Sequence, residues 1–357
     1  MKNLLKGLKV VELASVLAGP SVGMFFAELG AEVIKIENAK SNGDVTRSWK
    51  LASEDKEHPF SAYYSSVNWG KKSLFIDFKK KEDYQKLLSQ IQKADVLLVN
   101  FKPGDALRYA LDYDSIKKLN PHIIYGEITG FPNSKRTAYD VVLQAECGFM
   151  YMNGSPKGSP LKMPVAFIDL FAAHQLKEGI LLALLQHQKK KQSIQVSVSL
   201  YESALSALAN QAMNWLMAQH IPQALGSLHP NIAPYGESFI TKDKKLLVLA
   251  IGNEGQFQRL CKLLALEYLI EDERFKFNQE RVKNRKTLAK FLAEKISLRD
   301  REPLLNQMIL HNIPAGAVRN MEEVFQNEEA QKHILEEKKE GRVLKAVRGN
   351  AFNLKFG

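Results

Sequence analysis

The 357-residue chain is longer than one hydrophobic core usually supports, so we expect a large and a small domain. Hydrophobic residues make up 45% and charged residues 25%, as in ordinary water-soluble proteins, and no apolar run approaches the ~20 residues that span a bilayer. The net charge of +11 is spread among acidic and apolar neighbours without regularly spaced aromatic residues. This pattern argues against a nucleic-acid surface and leaves a phosphorylated small molecule open.

The cysteine, histidine and N-terminal patterns indicate the compartment and the metal content. The N-terminal sequence lacks the apolar segment and cleavage site of a secretory signal. Cys147 and Cys261 lie far apart in apolar surroundings, which suits reduced thiols. The eight histidines show no metal-ligand spacing. We therefore expect a cytoplasmic protein with no metal, no membrane partner and no nucleic-acid partner.

Short β-rich runs alternate with helical patterns through the first half of the chain. Several runs are apolar at most positions, as expected when helices cover both faces of a parallel sheet. The pattern predicts a doubly wound α/β domain. The predicted strands are KVVEL (9–13), EVIKIE (32–37), SLFIDF (73–78), DVLLVNF (95–101), HIIYGEIT (122–129) and SIQVSVS (193–199). The predicted helices cover 20–29, 81–92, 169–186 and, as one long helix, 200 to about 219.

The composition changes at GSLHPNIAPYGES (226–238), which is rich in Gly, Pro, Asn and Ser and predicts an ordered connection. A hairpin follows in SFITKDKKLLVLAIG, and amphipathic helices are expected near 254–266, 285–297 and 300–311. These elements predict a smaller α+β domain. The β-like closing stretch is expected to return to the first domain. We assign 1–224 with 335–357 to the large domain and 225–334 to the small domain with its linkers.

Asp169 stands where the apolar stretch 163–168 gives way to a helical pattern. Its simplest interpretation is a helix N-cap, whose side-chain oxygen accepts a hydrogen bond from a free backbone N–H. Common sites of other chemistry are missing from the sequence: there is no G-x-G-x-x-G after the first strand, no P-loop and no G-x-S-x-G elbow. Carboxylates and backbone amides remain as candidates for catalysis.

Ordered sequence blocks along nearly the whole chain resemble the class III CoA-transferases of the CaiB/BaiF type. The blocks are LKGLKVVELASVLAGPSVGMFFAELGAEVIKIE with GDVTR, NWGKKSLFIDFK, ADVLLVNFKPG, LNPHIIYGEITGF, YDVVLQAECGFMYMNGSP, PVAFIDLFAAHQLKEGILLALL, APYGES, LAIGNEGQFQRLC, RVKNR and IPAGAV. The resemblance implies transfer of coenzyme A, as co-substrate, from an acyl-CoA thioester to a free carboxylic acid. It also implies a homodimer of interlocked rings, each built from a Rossmann-like large domain and a smaller α+β domain.

The same resemblance assigns roles to individual residues. Asp169 would be the nucleophile, which forms an aspartyl anhydride and then an aspartyl-CoA thioester. Gly252 and Gly255 in GNEGQ would bring backbone N–H groups to the oxyanion, although a tight turn after a strand also explains them. The residues expected to contact CoA are Val16, Leu17, Lys71, Lys72, Asn100, Phe101, Arg108 and Tyr139. Among these, Lys71, Lys72 and Arg108 are cations that suit a phosphate clamp. The Phe101 ring suits stacking on adenine.

Two alternatives remain open from the sequence. Racemases of 2-methylacyl-CoA share this fold and pair the equivalent Asp with a His, but Tyr139 stands in that place here. A non-catalytic basic binding protein is the other. Asn38 replaces an Arg that some members place near the CoA phosphates, and GFPNSKRTAYD lacks the usual glycine-rich loop. These differences bear on substrate choice more than on fold.

Overall fold

The computed structural model describes residues 3–355 and residue 357, and these divide into two compact units. The first comprises the described residues of Met1–Met150, Lys162–Ile221 and Lys332–Gly357, and the second comprises Tyr151–Leu161 and Pro222–Gln331. Within the described residues, no helix is both long and apolar enough to cross a membrane.

The first unit is built on a six-stranded parallel sheet of the strand order β3-β2-β1-β4-β5-β6. Its strands are β1 (Lys9–Leu13), β2 (Glu32–Asn38), β3 (Lys72–Ile76), β4 (Val96–Val99), β5 (Ile124–Thr129) and β6 (Ile194–Ser199). The order reverses direction between β1 and β4, as in Rossmann-like folds. The prediction of an α/β fold with a parallel sheet is therefore confirmed.

Helices follow the strands of this sheet. They are α1 (Ala18–Glu28), α2 (Ala62–Asn68), α3 (Lys81–Gln92), α4 (Asp105–Arg108), α5 (Tyr113–Leu119), α6 (Asp140–Glu146), α7 (Phe149–Met152), α8 (Phe167–Lys189), α9 (Leu200–Ala207) and α10 (Ala209–Ala218). One core cluster lies between the sheet and helices α1 and α8, and another lies between the sheet and helices α3 and α5. Both faces of the sheet are thus covered, which explains the apolar strands.

The long helix predicted from Leu200 onward is wrong. The structure has two helices, because Ala209 adopts a left-handed backbone with φ of 47° and interrupts the α-helical path after Leu208. Helical periodicity is local and continues across such a break, so the sequence pattern does not reveal it.

Helix α8 approaches the sheet closely because a glycine on the helix and a glycine on strand β5 leave room for side chains of the other element. A Cβ built on Gly179 would lie 2.5 Å from Val196 Cγ1, and one built on Gly126 would lie 2.9 Å from Ile180 Cδ1. The same face of the helix buries Leu176 completely. This packing fixes where the helix begins, and so where Asp169 lies.

The second unit joins a three-stranded antiparallel sheet of order β7-β8-β9 to short helices. The strands are β7 (Tyr235–Ile240), β8 (Leu246–Ala250) and β9 (Ala315–Ala317), and the helices are α11 (Glu254–Leu263), α12 (Asn278–Lys283), α13 (Arg285–Ile296), α14 (Arg301–Leu310), α15 (Met321–Phe325) and α16 (Glu328–Gln331). The predicted hairpin and the three amphipathic helices are present. The sequence had placed residues 151–161 in the large domain. They lie with this unit instead, since Gly226 N donates to Gly154 O at 2.7 Å.

The chain ends with an antiparallel hairpin of β10 (Ile334–Lys339) and β11 (Arg342–Val347), which belongs to the first unit. Lys339 Nζ donates to Lys71 O at 2.9 Å, and Gly349 N donates to Glu28 Oε1 at 2.8 Å. These contacts attach the closing β-like stretch to α1 and to the start of β3.

Replacing Gly179 with Val should lower the free energy of unfolding by ~1–3 kcal/mol, because the new side chain has no room against Val196. Urea denaturation measures this. Leu182→Val, at an exposed position of the same helix, is the control and should cost less than about 1 kcal/mol. Equal losses from the two variants would contradict the close-packing argument.

Candidate active site

A cleft in the first unit opens where the strand order reverses. In doubly wound sheets, ligands bind beyond the carboxyl ends of the strands at this point. The chain segments that follow β1 and β4 form two of its walls, and the start of α8 closes it. The lining residues are Ser15, Val16, Leu17, Ala18, Asn100, Phe101, Lys102, Pro103, Ile128, Thr129, Gly130, Arg136, Thr137, Ala138, Tyr139, Asp169 and Leu200.

Six of the residues singled out from sequence therefore line one cleft. They are Val16, Leu17, Asn100, Phe101, Tyr139 and Asp169. Residues up to 153 positions apart in sequence meet here, from Val16 to Asp169. Their assigned roles in binding CoA and in catalysis stay predictions.

Asn100 holds the two walls together. Its Nδ2 donates to Ser15 O at 2.8 Å, and its Oδ1 accepts from Ser15 N at 3.0 Å. Because both polar groups of the amide bond the backbone after β1, the side chain fixes the separation of the two segments. Asn100 thus shapes the cleft in addition to lining it.

Val16 has a left-handed backbone, with φ of 71°. This conformation is unfavourable for any residue with a Cβ and is especially rare for β-branched ones. Asp44 holds it there, since its carboxylate accepts from Val16 N at 3.3 Å and 3.5 Å. Asp44 also accepts from Thr46 N at 3.0 Å and from Thr46 Oγ1 at 2.8 Å. The wall of the cleft thus contains a strained backbone conformation that a buried carboxylate stabilises.

Asp44 belongs to a buried ion cluster beneath the cleft. Lys35 Nζ lies 3.0 Å from Glu12 Oε1 and 3.0 Å from Asp44 Oδ2, and it also donates to Ala14 O at 2.7 Å. Lys35 and Glu12 have no exposed surface. Burial acts to lower the pKa of Lys35, but the two carboxylates outweigh it and the pKa is raised.

The structure contradicts the role predicted for Lys71 as a phosphate ligand. Its Nζ donates to Glu12 Oε2 at 2.7 Å, to Pro20 O at 2.8 Å and to Asn68 Oδ1 at 3.1 Å, which uses all three N–H donors. The residue is 3% exposed. Burial lowers its pKa to about 7, with Lys35 adding to the effect and Glu12 opposing it. Lys71 supports the ion cluster and has no donor left for CoA.

Lys72 does not fit the clamp either. It opens β3 and pairs with Glu32 at 2.9 Å, so both lie at the amino ends of their strands. The cleft lies beyond the carboxyl ends, about 16 Å away along a five-residue strand. Arg108 is exposed outside the cleft lining, with its guanidinium 5.3 Å from the Tyr109 ring centroid. Of the three predicted cations, Arg108 alone keeps an exposed side chain on the carboxyl-end side of the sheet.

Two cations of the cleft were missed by the sequence interpretation. Lys102 follows Phe101 at the end of β4, and Arg136 lies in the connection after β5. The signal was available, since both are basic residues just beyond predicted strands. The resemblance assigned the phosphate clamp to Lys71, Lys72 and Arg108 instead.

Asp169 is the third residue of α8 and makes no capping hydrogen bond, so the N-cap interpretation is wrong. Another carboxylate satisfies the helix end: Asp140 Oδ2 accepts from Ile168 N at 2.9 Å. Asp140 is itself fixed by a hydrogen bond from Gln144 Nε2, and Gln144 Oε1 accepts from Met163 N at 2.7 Å. Asp169 is left free to face the cleft that it lines.

Burial raises the pKa of Asp169 to about 7, and the Asp140 carboxylate adds to the rise. An ordinary aspartate side chain is fully ionised at pH 7. Asp169, with its raised pKa, is about half ionised there. Helix α8 begins beside the carboxylate, and its N-terminal dipole favours the charged form.

Gly252 and Gly255 belong to the second unit, at the junction of β8 and α11. Gly252 N donates to Gln256 Oε1 at 2.7 Å, and Asn253 caps the helix by accepting from Gln256 N at 3.0 Å. Gly255 lies in the first turn of α11. This is a capped strand-to-helix turn, and the oxyanion role of the two glycines stays a prediction.

A second cleft adjoins the first and shares Ser15, Phe101 and Lys102 with it. Its lining is Leu13, Ala14, Ser15, Lys35, Ile36, Glu37, Asn38, Ser41, Gly43, Asp44, Val45, Phe78, Phe101 and Lys102. Arg47 braces this wall by donating to Glu37 through two nitrogens, both at 2.7 Å. Burial alone would raise the pKa of Glu37, but Arg47 outweighs it and the pKa falls to about 2. The GDVTR block therefore builds the walls of both clefts.

Two further chemistries find no support among the described residues. No histidine is among those that line either cleft, which argues against the acid–base pair of a racemase. No group of three or more His, Cys, Asp or Glu side chains among the described residues could hold a metal ion.

The family model described as CoA-transferase family III matches residues 5–357. The chain belongs to this family. It is 37% identical over 354 residues to the succinate–glutarate CoA-transferase of Agrobacterium fabrum, covering 96% of this chain and 88% of the relative. It is 36% identical over 325 residues to the human succinyl-CoA:glutarate CoA-transferase, covering 90% and 73%. The family III chain is thus an enzyme that transfers coenzyme A, and the non-catalytic alternative is wrong.

A solved structure supports the fold of the family III chain. A CaiB/BaiF family protein from Brucella suis superposes with a TM-score of 0.86 at 35% sequence identity, covering 99% of this chain and 93% of that one. The resemblance stated from the sequence blocks is therefore confirmed.

Val16→Gly should leave the enzyme at least as stable, because it relieves ~1–2 kcal/mol of left-handed strain against ~0.5–1 kcal/mol of added unfolded-state entropy. It should raise the KM for acyl-CoA several-fold, since the cleft wall loses its fixed backbone and a branched side chain. Thermal melting and steady-state kinetics measure the two effects. Lys244→Gly, at φ of 60° in the second unit, is the matched control and should leave KM unchanged. An unaltered KM in Val16→Gly would contradict the role given to the wall.

Because the pKa of Asp169 is raised, replacing its carboxylate with a neutral side chain should stabilise the folded enzyme, and more so at high pH. The folded state holds the proton up to about pH 7 and the unfolded chain releases it near pH 4, so this group lowers stability as the pH rises between those values. Asp169→Asn should therefore raise Tm at pH 8 by several degrees more than at pH 5. The control Asp114→Asn, at an exposed position on α5, should give the same small change at both pH values. If Asp169→Asn changed Tm by the same amount at pH 5 and at pH 8, relative to the native enzyme, the carboxylate would not be desolvated.

Proposed function

We propose that this enzyme moves coenzyme A between an acyl-CoA thioester and a free carboxylic acid through covalent intermediates on Asp169. The observation that carries the proposal is the position of this carboxylate. It lies in a cleft at the sheet reversal and is released from helix capping by Asp140. A desolvated carboxylate with a pKa near 7 is a stronger nucleophile than an ordinary, well-hydrated one, and half of it is ionised at neutral pH.

The reaction exchanges one acyl bond for another. The Asp169 carboxylate attacks the thioester carbonyl, and the CoA thiolate leaves to give a mixed anhydride. The thiolate then attacks the aspartyl carbonyl, which releases the donor acid and forms an aspartyl-CoA thioester. The acceptor carboxylate attacks that thioester and frees the thiolate again. Attack of the thiolate on the acceptor acyl carbonyl yields the new acyl-CoA and restores Asp169.

This sequence of steps requires further groups. Each tetrahedral intermediate carries an oxyanion that backbone N–H groups can stabilise, a role that the resemblance assigns to the glycines of GNEGQ. CoA phosphates suit the cations on the carboxyl-end side of the sheet, Lys102 and Arg108. The half-buried Phe101 ring stands between the two clefts, where an adenine can stack on it.

The named substrates of the relatives indicate the acids to test. Succinate and glutarate, or succinyl-CoA and glutarate, appear in the names of two of them. Both acids are short dicarboxylates. We propose short dicarboxylic acids as acceptors and their CoA monothioesters as donors.

We also propose that the working form is a cytoplasmic homodimer, as the resemblance implies. Helix α10 has no buried residue in the chain, although it carries large apolar side chains. Trp215, Leu216 and Met217 are 46%, 62% and 82% exposed. An apolar helix of this kind is typical of a subunit interface. Both cysteines are free thiols, which supports a reducing compartment.

The proposal predicts that Asp169→Ala abolishes CoA exchange, with a loss in kcat of at least ~10³-fold, because no other group takes over the nucleophile. The rate should also rise with pH through about pH 7 as Asp169 ionises. A screen of acyl-CoA donors against acid acceptors, read by mass spectrometry, measures the exchange. Hydroxylamine added during turnover should label Asp169.

Glu178→Gln changes an exposed carboxylate on the same helix and should keep full activity. If Asp169→Ala exchanged CoA at the native rate, or if the hydroxylamine label lay on another residue, the mechanism would be wrong. Loss of activity in Glu178→Gln as well would point to damage of α8 and not to a lost nucleophile.

A further inference from the structure

Arg136 carries a guanidinium whose orientation is fixed from two sides. Its Cζ lies 4.2 Å from the centroid of the Phe131 ring. Its two terminal nitrogens donate to the Glu146 carboxylate, at 3.2 Å and 2.5 Å. The stacked ring fixes the plane of the guanidinium, and the carboxylate fixes its rotation. Arg136 lines the same cleft as Asp169.

This arrangement leaves the guanidinium able to bind a second carboxylate. Arginine has five N–H donors, and the two contacts to Glu146 use only part of them. The ion pair is also open to water, with side chains that are 56% and 40% exposed. Such surface pairs contribute little stability, so an incoming carboxylate can share or replace Glu146 at small cost.

The two cations of the cleft differ in position. Lys102 lines both clefts, whereas the lining of the second cleft does not include Arg136. Lys102 is therefore placed to serve a CoA moiety that extends from one cleft to the other. Arg136 faces the cleft of the nucleophile alone, where the acyl group and the acceptor acid must lie.

We propose that Arg136 determines substrate specificity by binding the distal carboxylate of a dicarboxylic acid whose other carboxylate reacts at Asp169. The inference rests on the function proposed above and adds the residue that recognises the substrate class. A planar fork of N–H groups matches a carboxylate in two hydrogen bonds, which an ammonium cannot reproduce. A monocarboxylic acid of the same length has no group to bind there and gains nothing from Arg136.

The test compares acids of equal chain length: glutarate with pentanoate, and succinate with butanoate. One acyl-CoA donor, saturating for each variant, is used throughout. Arg136→Met should raise the KM for glutarate and succinate by ~10–100-fold, the usual effect of losing a charge-assisted contact. The KM for the monocarboxylates should change less than about twofold, and kcat should change little for either class. Arg136→Lys should recover only part of the affinity for dicarboxylates.

The chain offers a matched control in the second unit. Arg274 stacks on an aromatic ring, with its Cζ 5.0 Å from the Phe275 centroid, and pairs with Asp272 at 2.7 Å. Arg274→Met removes the same charge and the same kind of stacked ion pair. It should leave all four KM values unchanged. Because Arg136 is largely exposed, both variants should fold, which circular dichroism and thermal melting verify.

Calorimetric titration of glutarate and pentanoate into the native enzyme and Arg136→Met adds a readout that needs no turnover. Tighter binding of glutarate than pentanoate, lost in the variant, supports the proposal. Equal KM increases for both acid classes, or none, would overturn the role of Arg136 while CoA transfer by the native enzyme still upheld the proposed function. Failure of the native enzyme to transfer CoA to any acid would overturn the proposed function and this inference together.

Discussion

The hydrogen bond from Ile168 N to Asp140 is the contact on which the site depends. Every helix begins with unpaired N–H groups, and a nearby Asp normally satisfies one of them. Here Asp140, from a different helix, takes that place at the start of α8. Asp169 is thereby left without a capping bond, and its burial raises its pKa, with the nearby Asp140 carboxylate adding to the rise. One tertiary hydrogen bond thus separates the carboxylate that caps α8 from the carboxylate that lines the cleft.

The buried ion cluster beneath the cleft is a second constraint of the same kind. Rossmann-like folds commonly make the turn after β1 with glycines, which tolerate unusual backbone angles and close approach of a ligand. In this chain Val16 has a left-handed backbone conformation there. Asp44 accepts a hydrogen bond from Val16 N, and Lys35 forms an ion pair with Asp44. Burying charges is costly unless they are paired and hydrogen-bonded, and here the ammonium groups of Lys35 and Lys71 each contact three oxygen atoms. The buried ion cluster thus stabilises at Val16 a backbone conformation that a glycine would adopt without strain.

The sequence interpretation was most reliable where the signal is local. Strand β1 and helix α3 have the bounds that the hydrophobic pattern predicted, and the sheet is parallel as expected. It failed where distant residues decide the outcome. Lys71 and Lys72 are adjacent in sequence and equal in charge, yet one lies inside an ion cluster and the other at the far edge of the sheet. Composition carries no information about which of two neighbouring lysines is buried.

The sequence by itself determined the alternation of strands and helices, the family and the candidate carboxylate Asp169, because periodicity and ordered motifs are local features of the sequence. Tertiary structure alone decided which charges remain available to a ligand. Asp169 does not cap α8, because Asp140 does so. Lys71 forms an ion pair with Glu12, whereas Lys102 and Arg136 line the cleft. The physical reason is that burial and pairing of a charge depend on partners that folding brings from far away in sequence, and these partners set both the pKa and the free donors of each group.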